Sequence, residues 1–599
     1  MFKFKLTYVA LAAALSSTIA YADPTTYTHL SGATVVDIEA PNASGVSHNL
    51  YREFNVGSNG LILNNSDSDI NHATFGNIAK NNNLTNGGAS VILNEVTSNK
   101  ASSLNGFIEV AGLKADVVIA NPNGITCSGC SFVNTNKAVL TTGQVNMTDE
   151  GAIGSYTITD GKITIGEKGM DATTSYAALL ADAVAINGMV NAGNATVGGG
   201  NFTFDNSTGA MTSAGKSATV LQMISPVYSI DISSLGGIKA NSISMVGNNL
   251  GFGVRNKGSI TANSTLSITN NGLLTNDGSI ASNGLLTSIA ASGNFTNNGT
   301  LTTKNLTKIT TYGALTNGSK GSISSTKQLI LSAAGNLQNS GTISATSSLV
   351  AASNGAITNN AGAKITSDAQ ITATSLGNFT NAGTINGKNV ALNFIGTNFK
   401  NTGTIAATSN VAVKSLNQDS TLNTGEIYNL GSISGANIDM QTDGTLAQST
   451  DGKMTATDAF TAHSYWLNNN GAIKAATITT DHGPVNNTGS IKGDTISITS
   501  RFDIVNEGTI FSTGDLLLDT QNKANIYNYS LLQANGTLTM TAKKIVNGGR
   551  GCGCGWLKLS TCDVGTIYAD KMILNSSYKY ASEMGGYQYF KIAEINTVL

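Results

Sequence analysis

The chain has 599 residues, a formal net charge of −2 and only 11% charged residues, against about 25% in ordinary soluble domains. Hydrophobic residues make up 40%, so a core can form, while 67 glycines without a three-residue period do not make collagen. The balance excludes nucleic-acid binding through a basic surface, and it excludes a disordered chain, which is usually charged or proline-rich.

At the N-terminus, Lys3 and Lys5 precede a mostly apolar stretch from Leu6 to Ile19, too short for a comfortable membrane span. Ala20-Tyr21-Ala22 offers a small-x-small cleavage site before Asp23. Residues 1–22 therefore read as a signal peptide. No later stretch approaches 18 uninterrupted apolar residues.

Residues 23–246 are irregular but strand-like, with runs such as Gly60-Leu-Ile-Leu63, Val117-Val-Ile119 and Tyr156-Thr-Ile-Thr159. They read as part of the same architecture as the segment that follows, with extra strands and a cap.

Residues 247–547 repeat. The unit is apolar-x-Asn-x-Gly-x-apolar, as in Val254-Arg-Asn-Lys-Gly-Ser-Ile260 and Phe379-Thr-Asn-Ala-Gly-Thr-Ile385. Copies centre on Asn256, Asn276, Asn297, Asn339, Asn381, Asn401, Asn429, Asn469, Asn487 and Asn506, with expanded copies at Leu315–Ile323 and Ile357–Ile365. The early steps are 20 to 22 residues, and the gap from Asn429 to Asn469 holds one degraded copy. A period near 20 means a solenoid. Leucine-rich repeats need a different leucine pattern and a helix per turn, so the sequence predicts an all-β, right-handed parallel β-helix. Asn-x-Gly is expected to be a tight corner using left-handed backbone. The stacked Asn side chains are expected to form a hydrogen-bonded ladder. Extending this reading from Thr25 to Asn547 predicts roughly 26 coils at about 4.8 Å each, a rod of roughly 125 Å. From Gly548 the repeat fails, and residues 548–599, with Cys552, Cys554, Cys562 and several tyrosines, read as a distinct end.

Gly45-Val-Ser-His-Asn49, Phe54-Asn-Val-Gly57, Asn59-Gly-Leu-Ile-Leu-Asn-Asn65 and Val91-Ile-Leu-Asn-Glu-Val96 lie in the N-terminal segment. So does Asn121-Pro-Asn-Gly-Ile125, followed by Cys127-Ser-Gly-Cys130. Together they resemble the secretion domain of two-partner-secretion exoproteins, the family of filamentous haemagglutinins, haemolysins and contact-dependent inhibition effectors. The resemblance spans residues 23–246, and the later repeats resemble haemagglutinin repeats. It implies export through a dedicated outer-membrane β-barrel partner, a secreted or cell-surface location in a Gram-negative bacterium, and a host-cell or bacterial-surface receptor. It places the secretion motif on Asn59, Gly60, Asn64 and Asn65 and on Asn121, Pro122, Asn123, Gly124 and Ile125. That second block reads as a turn shaping the domain, with direct contact to the transporter as the alternative.

Cys127 and Cys130 have Cys-x-x-Cys spacing. They read as a structural disulfide in an oxidising compartment, because a redox motif needs a helix at the first Cys and zinc needs two more ligands. His29, His48, His72, His463 and His482 are scattered, without metal spacing, and Asp and Glu form no cluster of the kind β-helical lyases use. No catalytic residue, metal or cofactor is expected. The functional expectation is a non-enzymatic adhesin or haemagglutinin-like exoprotein. The alternatives are a haemolysin or shortened inhibition effector, and then a carbohydrate-active β-helix enzyme.

Overall fold

The structure is a computed structural model that describes residues 23–72, 76–213, 228–248, 253–548, 565–576, 582–584 and 587–597. It is a right-handed parallel β-helix. One coil shows how the sequence builds it. Leu274–Asn276, Ser279–Ser282 and Leu286–Ala291 are three short strands, one per side. Each pairs in parallel with its counterpart one coil later: Phe295–Asn297, Thr300–Thr303 and Leu306–Thr311. Side chains alternate along a strand, so Leu274, Ile280 and Ile289 turn inward and are buried while Thr275, Ser279 and Ser288 face outward. Register is exact in residue type as well as position, because Ile280 sits on Leu301 and Asn276 on Asn297. A slip by one residue would turn every apolar side chain outward. The result is one continuous apolar core from Val36 to Leu574.

The N-terminal region carries additions. Gln144–Met147, Ile153–Ile158, Phe202–Asp205 and Met211–Ser213 form an antiparallel sheet outside the helix. It buries Tyr156, Phe202 and Phe204 against the outward side of the coils, on Val46, Leu93, Val118, Val139 and Leu180. The coil strands beneath are covered on both faces. This explains why Ala177–Ala181 is apolar without alternation. A hairpin of Ile70–His72 and Gly76–Ile78 covers a smaller apolar patch that includes Val35 and Ile62.

Three expectations are corrected. The shortest side of the helix stacks twenty-one strands, not 26, which shortens the rod to roughly 100 Å; the added sheet and hairpin consume residues that a bare coil would not. Parallel pairing also continues past Asn547. Thr566–Ser576 lies on Leu531–Ala542, and Tyr587–Thr597 lies on Thr566–Ser576, so the coils cross the expected boundary at Gly548. Lastly, the repeat Asn-x-Gly is not a left-handed corner. None of the ladder asparagines has a positive φ, and of the repeat glycines only Gly362, in an expanded copy, does. The glycines are required by contact. A Cβ on Gly403 would lie 2.1 Å from the carbonyl oxygen of Gly383, and one on Gly431 would lie 2.1 Å from that of Gly403.

Candidate export and recognition sites

The block Asn121–Ile125 follows the buried strand Ala115–Ala120. Asn121 is buried and donates through Nδ2 to the Lys100 carbonyl and to Ser102 Oγ, both at 2.9 Å. Its Oδ1 accepts from the Asn123 backbone N–H at 2.9 Å. Asn123 in turn donates to the Ser98 carbonyl at 2.7 Å. Gly124 has φ +107°, a conformation that disfavours any side chain, and Ile125 enters the core. The side chain of Asn121 is thus consumed in shaping a turn. Only Pro122 and Asn123 are exposed within the block.

The other block is equally inward. Gly60 has φ +84°, and a Cβ there would lie 2.2 Å from the Phe107 ring. Asn64 donates to Asp37 Oδ1 at 2.7 Å and to the Ala79 carbonyl at 2.9 Å. Asn65 donates to the carbonyls of Ala89 and Leu113, both at 2.8 Å, and accepts from Ala89 N–H. Asn59 is exposed. The two blocks have separate hydrogen-bond partners and lie on different strands.

Cys127 and Cys130 form a disulfide between the strands Ile125–Cys127 and Cys130–Val133, with Cα atoms 5.4 Å apart. Cys552, Cys554 and Cys562 lie outside the described residues, as do residues 1–22.

The repeat asparagines sit buried at strand ends, and each Nδ2 donates to the next coil's Oδ1. Asn256, Asn276, Asn297, Asn317, Asn339, Asn359, Asn381, Asn401 and Asn429 form one run with links of 2.7 to 2.8 Å. Asn469, Asn487, Asn506, Asn528 and Asn547 form a second. The sequence reading missed Asn528, which has no glycine two residues on, and Asn547, which follows it in register; an apolar-x-Asn search alone would have found both. Gln448 holds the position between the runs. It accepts weakly from Asn429 at 3.4 Å, donates to the Gly452 and Ala472 carbonyls, and leaves Asn469 Oδ1 buried without a partner.

Two features came from residues far apart in sequence. Lys137 Nζ donates to Asn206 Oδ1 at 2.7 Å and lies over the rings of Tyr176 and Phe204, under the added sheet. Burial pushes the Lys137 ammonium down and the Asp116 carboxyl up, although each partly offsets the shift of the other. His463 and His482, scattered in the sequence, line one cavity. Among the described residues no His, Cys, Asp and Glu group is arranged to hold a metal, and no helix is long and apolar enough to cross a membrane.

Residues 16–276 match the family model of the TPS secretion domain. The N-terminal part of the chain is a two-partner-secretion domain. It shares 42% identity over 233 residues with the tRNA nuclease CdiA of Yersinia mollaretii, a match covering 39% of this chain and 8% of that protein. Toxin CdiA of Escherichia coli is 41% identical over 228 residues, covering 37% of this chain and 7% of the relative. The 16S rRNA endonuclease CdiA of Enterobacter cloacae is 39% identical over 236 residues, again 7% of its length. These matches therefore span under a tenth of each relative. The crystal structure of the filamentous hemagglutinin secretion domain is 30% identical, with the match covering 49% of this chain and 93% of that one at a TM-score of 0.40. With this secretion domain and these relatives, the chain is a secreted or cell-surface protein of a Gram-negative bacterium.

Proposed function

We propose that the chain leaves the periplasm through an outer-membrane β-barrel partner and serves outside as a non-enzymatic adhesive rod. The observation that carries this reading is the long single-core solenoid beyond the secretion domain, whose coils pair only with their neighbours. Stability in such a solenoid is a sum of local terms, so folding can propagate coil by coil as the chain emerges. The disulfide described closes a loop of three residues' separation, so it adds little width to an extended chain in a pore. Low net charge disfavours nucleic acid as a partner, and the receptor on this reading is a host-cell or bacterial-surface molecule.

A second reading, a contact-dependent inhibition exoprotein, is favoured by the CdiA relatives. Their nuclease names belong to proteins that are matched here only in the secretion region. A haemolysin and a carbohydrate-active enzyme are the remaining alternatives. Co-expression with and without a two-partner transporter tests the route: the chain should reach the medium or surface only with the barrel. Attachment to host cells, without erythrocyte lysis and without killing of neighbouring bacteria, supports the adhesive rod. Contact-dependent killing would establish the second reading in its place. The double change Pro122→Ala, Asn123→Ala separates the two roles of the motif. Lost export at unchanged melting temperature marks a transporter contact, whereas lost export with lost stability marks a turn.

A further inference from the structure

The corner between the last strand of one coil and the first strand of the next follows a rule through much of the rod. Its third residue is glycine at Gly272, Gly293, Gly313, Gly335, Gly355, Gly377, Gly396 and Gly444. The corners stack so closely that a Cβ on Gly396 would lie 2.4 Å from the backbone of Gly377. The next two corners are one residue shorter, so that Trp466 pairs with Thr445 and Gly483 stacks on Tyr465, and the third puts Phe502 in the glycine position. The second residue of the corner changes as well, to Tyr465 and Arg501. The Asn ladder breaks at Gln448 immediately before them.

A cavity of about 180 Å³ opens at these corners, lined by Asp443, His463, Tyr465, Asp481, His482, Arg501 and Phe502 among others. Tyr465 and Phe502 are 55% and 46% exposed, with ring centroids 6.1 Å apart and planes at 66°. His463 lies between two carboxylates, 3.3 Å from Asp443 and 3.5 Å from Asp481. His482 takes the place of the small hydroxyl residues Ser464 and Ser500 on the adjoining coils. It is buried, its Nδ1 meets Ser464 Oγ at 2.7 Å, and its Nε2 has no hydrogen-bond partner among the described residues.

We propose that this cavity is a recognition site for one neutral sugar unit of a surface glycan; this rests on the adhesive reading above and names its ligand class. A sugar ring has one face rich in C–H groups and a rim of hydroxyls that both donate and accept. The exposed rings of Tyr465 and Phe502 suit the apolar face. Asp443 and Asp481 accept from hydroxyls, Arg501 donates, and the free Nε2 of His482 supplies one more polar atom. An anionic ligand would meet two carboxylates, and a purely apolar one would leave these polar groups unpaired. An apolar body with a few convergent polar groups is the usual makeup of a small-molecule site.

The test uses the secreted full chain and four probes, the methyl glycosides of glucose, galactose, mannose and N-acetylglucosamine. Binding is read by saturation-transfer NMR and by the fluorescence of Trp466, which adjoins the cavity. At least one glycoside should bind, and Tyr465→Ala, Phe502→Ala should weaken it at least tenfold. Arg501→Ala, an exposed change that leaves the coil intact, should weaken it several-fold and guards against misfolding of the double variant. No binding by any of the four, or undiminished binding by both variants, overturns the proposal. Attachment to host cells separates it from the reading on which it rests. Attachment that persists undiminished in Tyr465→Ala, Phe502→Ala sinks the sugar site and leaves the adhesin. Glycoside binding without attachment to any cell keeps the site and sinks the adhesin.

Discussion

Replacing Gln448 by Asn would join the two runs of the asparagine ladder. Gln448 is in register with Asn429 below and Asn469 above. Its side chain is one methylene too long to take the repeat geometry. It therefore turns its amide to the Gly452 and Ala472 carbonyls and leaves Asn469 Oδ1 buried and unsatisfied. Asn at 448 would accept from Asn429 at the 2.7 to 2.8 Å of the other links and donate to Asn469. It would also keep a backbone contact equivalent to that from Asn429 to the Lys453 carbonyl. Leaving a buried acceptor unsatisfied costs about 1–3 kcal/mol. Against this stands the loss of one buried methylene, about 0.8 kcal/mol. The expected net gain is on the order of 1 kcal/mol, a rise of roughly 2–4 °C if the cooperative unit spans some 150–250 residues. Denaturant titration followed by Trp466 fluorescence reads the neighbouring coil directly, and calorimetry reads the rod. A Gln448→Asn chain that folds normally by circular dichroism but melts lower would refute the reasoning. Continuity of the ladder would then not be what joins these coils.

Further expectations concern single sites. Asn381→Ala interrupts a link on each side and should cost about 1–2 kcal/mol by denaturant titration; a neutral outcome would reduce these residues to shape alone. Gly403→Ala drives a methyl group against the Gly383 carbonyl and should cost about 1–3 kcal/mol, whereas a φ-based role would predict the same cost at glycines with open space. Burial holds the His482 imidazole down to about 3, against 6.5 when unfolded. The unfolded chain thus takes up the proton first, so stability present above pH 6.5 is lost as pH falls toward 3, at about 1.4 kcal/mol per unit. His482→Ser, copying Ser464 and Ser500, should flatten that slope in melting curves taken between pH 7 and 4. Cys127→Ser, Cys130→Ser should lower stability by no more than about 2–4 kcal/mol, since the closed loop is small, while export to the medium continues.

The repeat was legible because each coil repeats its apolar positions at nearly fixed spacing, and the parallel β-helix follows from that period. The asparagine ladder was legible for the same reason. What the repeat glycines do was not. Sequence shows Asn-x-Gly but not that Gly403 lies against Gly383, which only stacking decides. The antiparallel cover over Val118 and Leu180 was hidden because its strands are three to six residues long and come from both sides of the coils they cover. The cavity near His463 was hidden for a simpler reason. Its residues come from successive coils, so neighbours in space stand about twenty positions apart in the chain.

The contact of Gly403 with Gly383, and of Gly431 with Gly403, also constrains how the gene can change length. Each turn specifies the residue above it, so deletion or duplication of one full unit leaves matched neighbours at the junction. Loss of five or ten residues would instead set a side chain against a carbonyl and disrupt the alignment of that turn. Unequal crossing-over between units of about twenty codons would supply the first kind of change. Natural variants should therefore differ in steps of whole turns, and reach should evolve faster than girth.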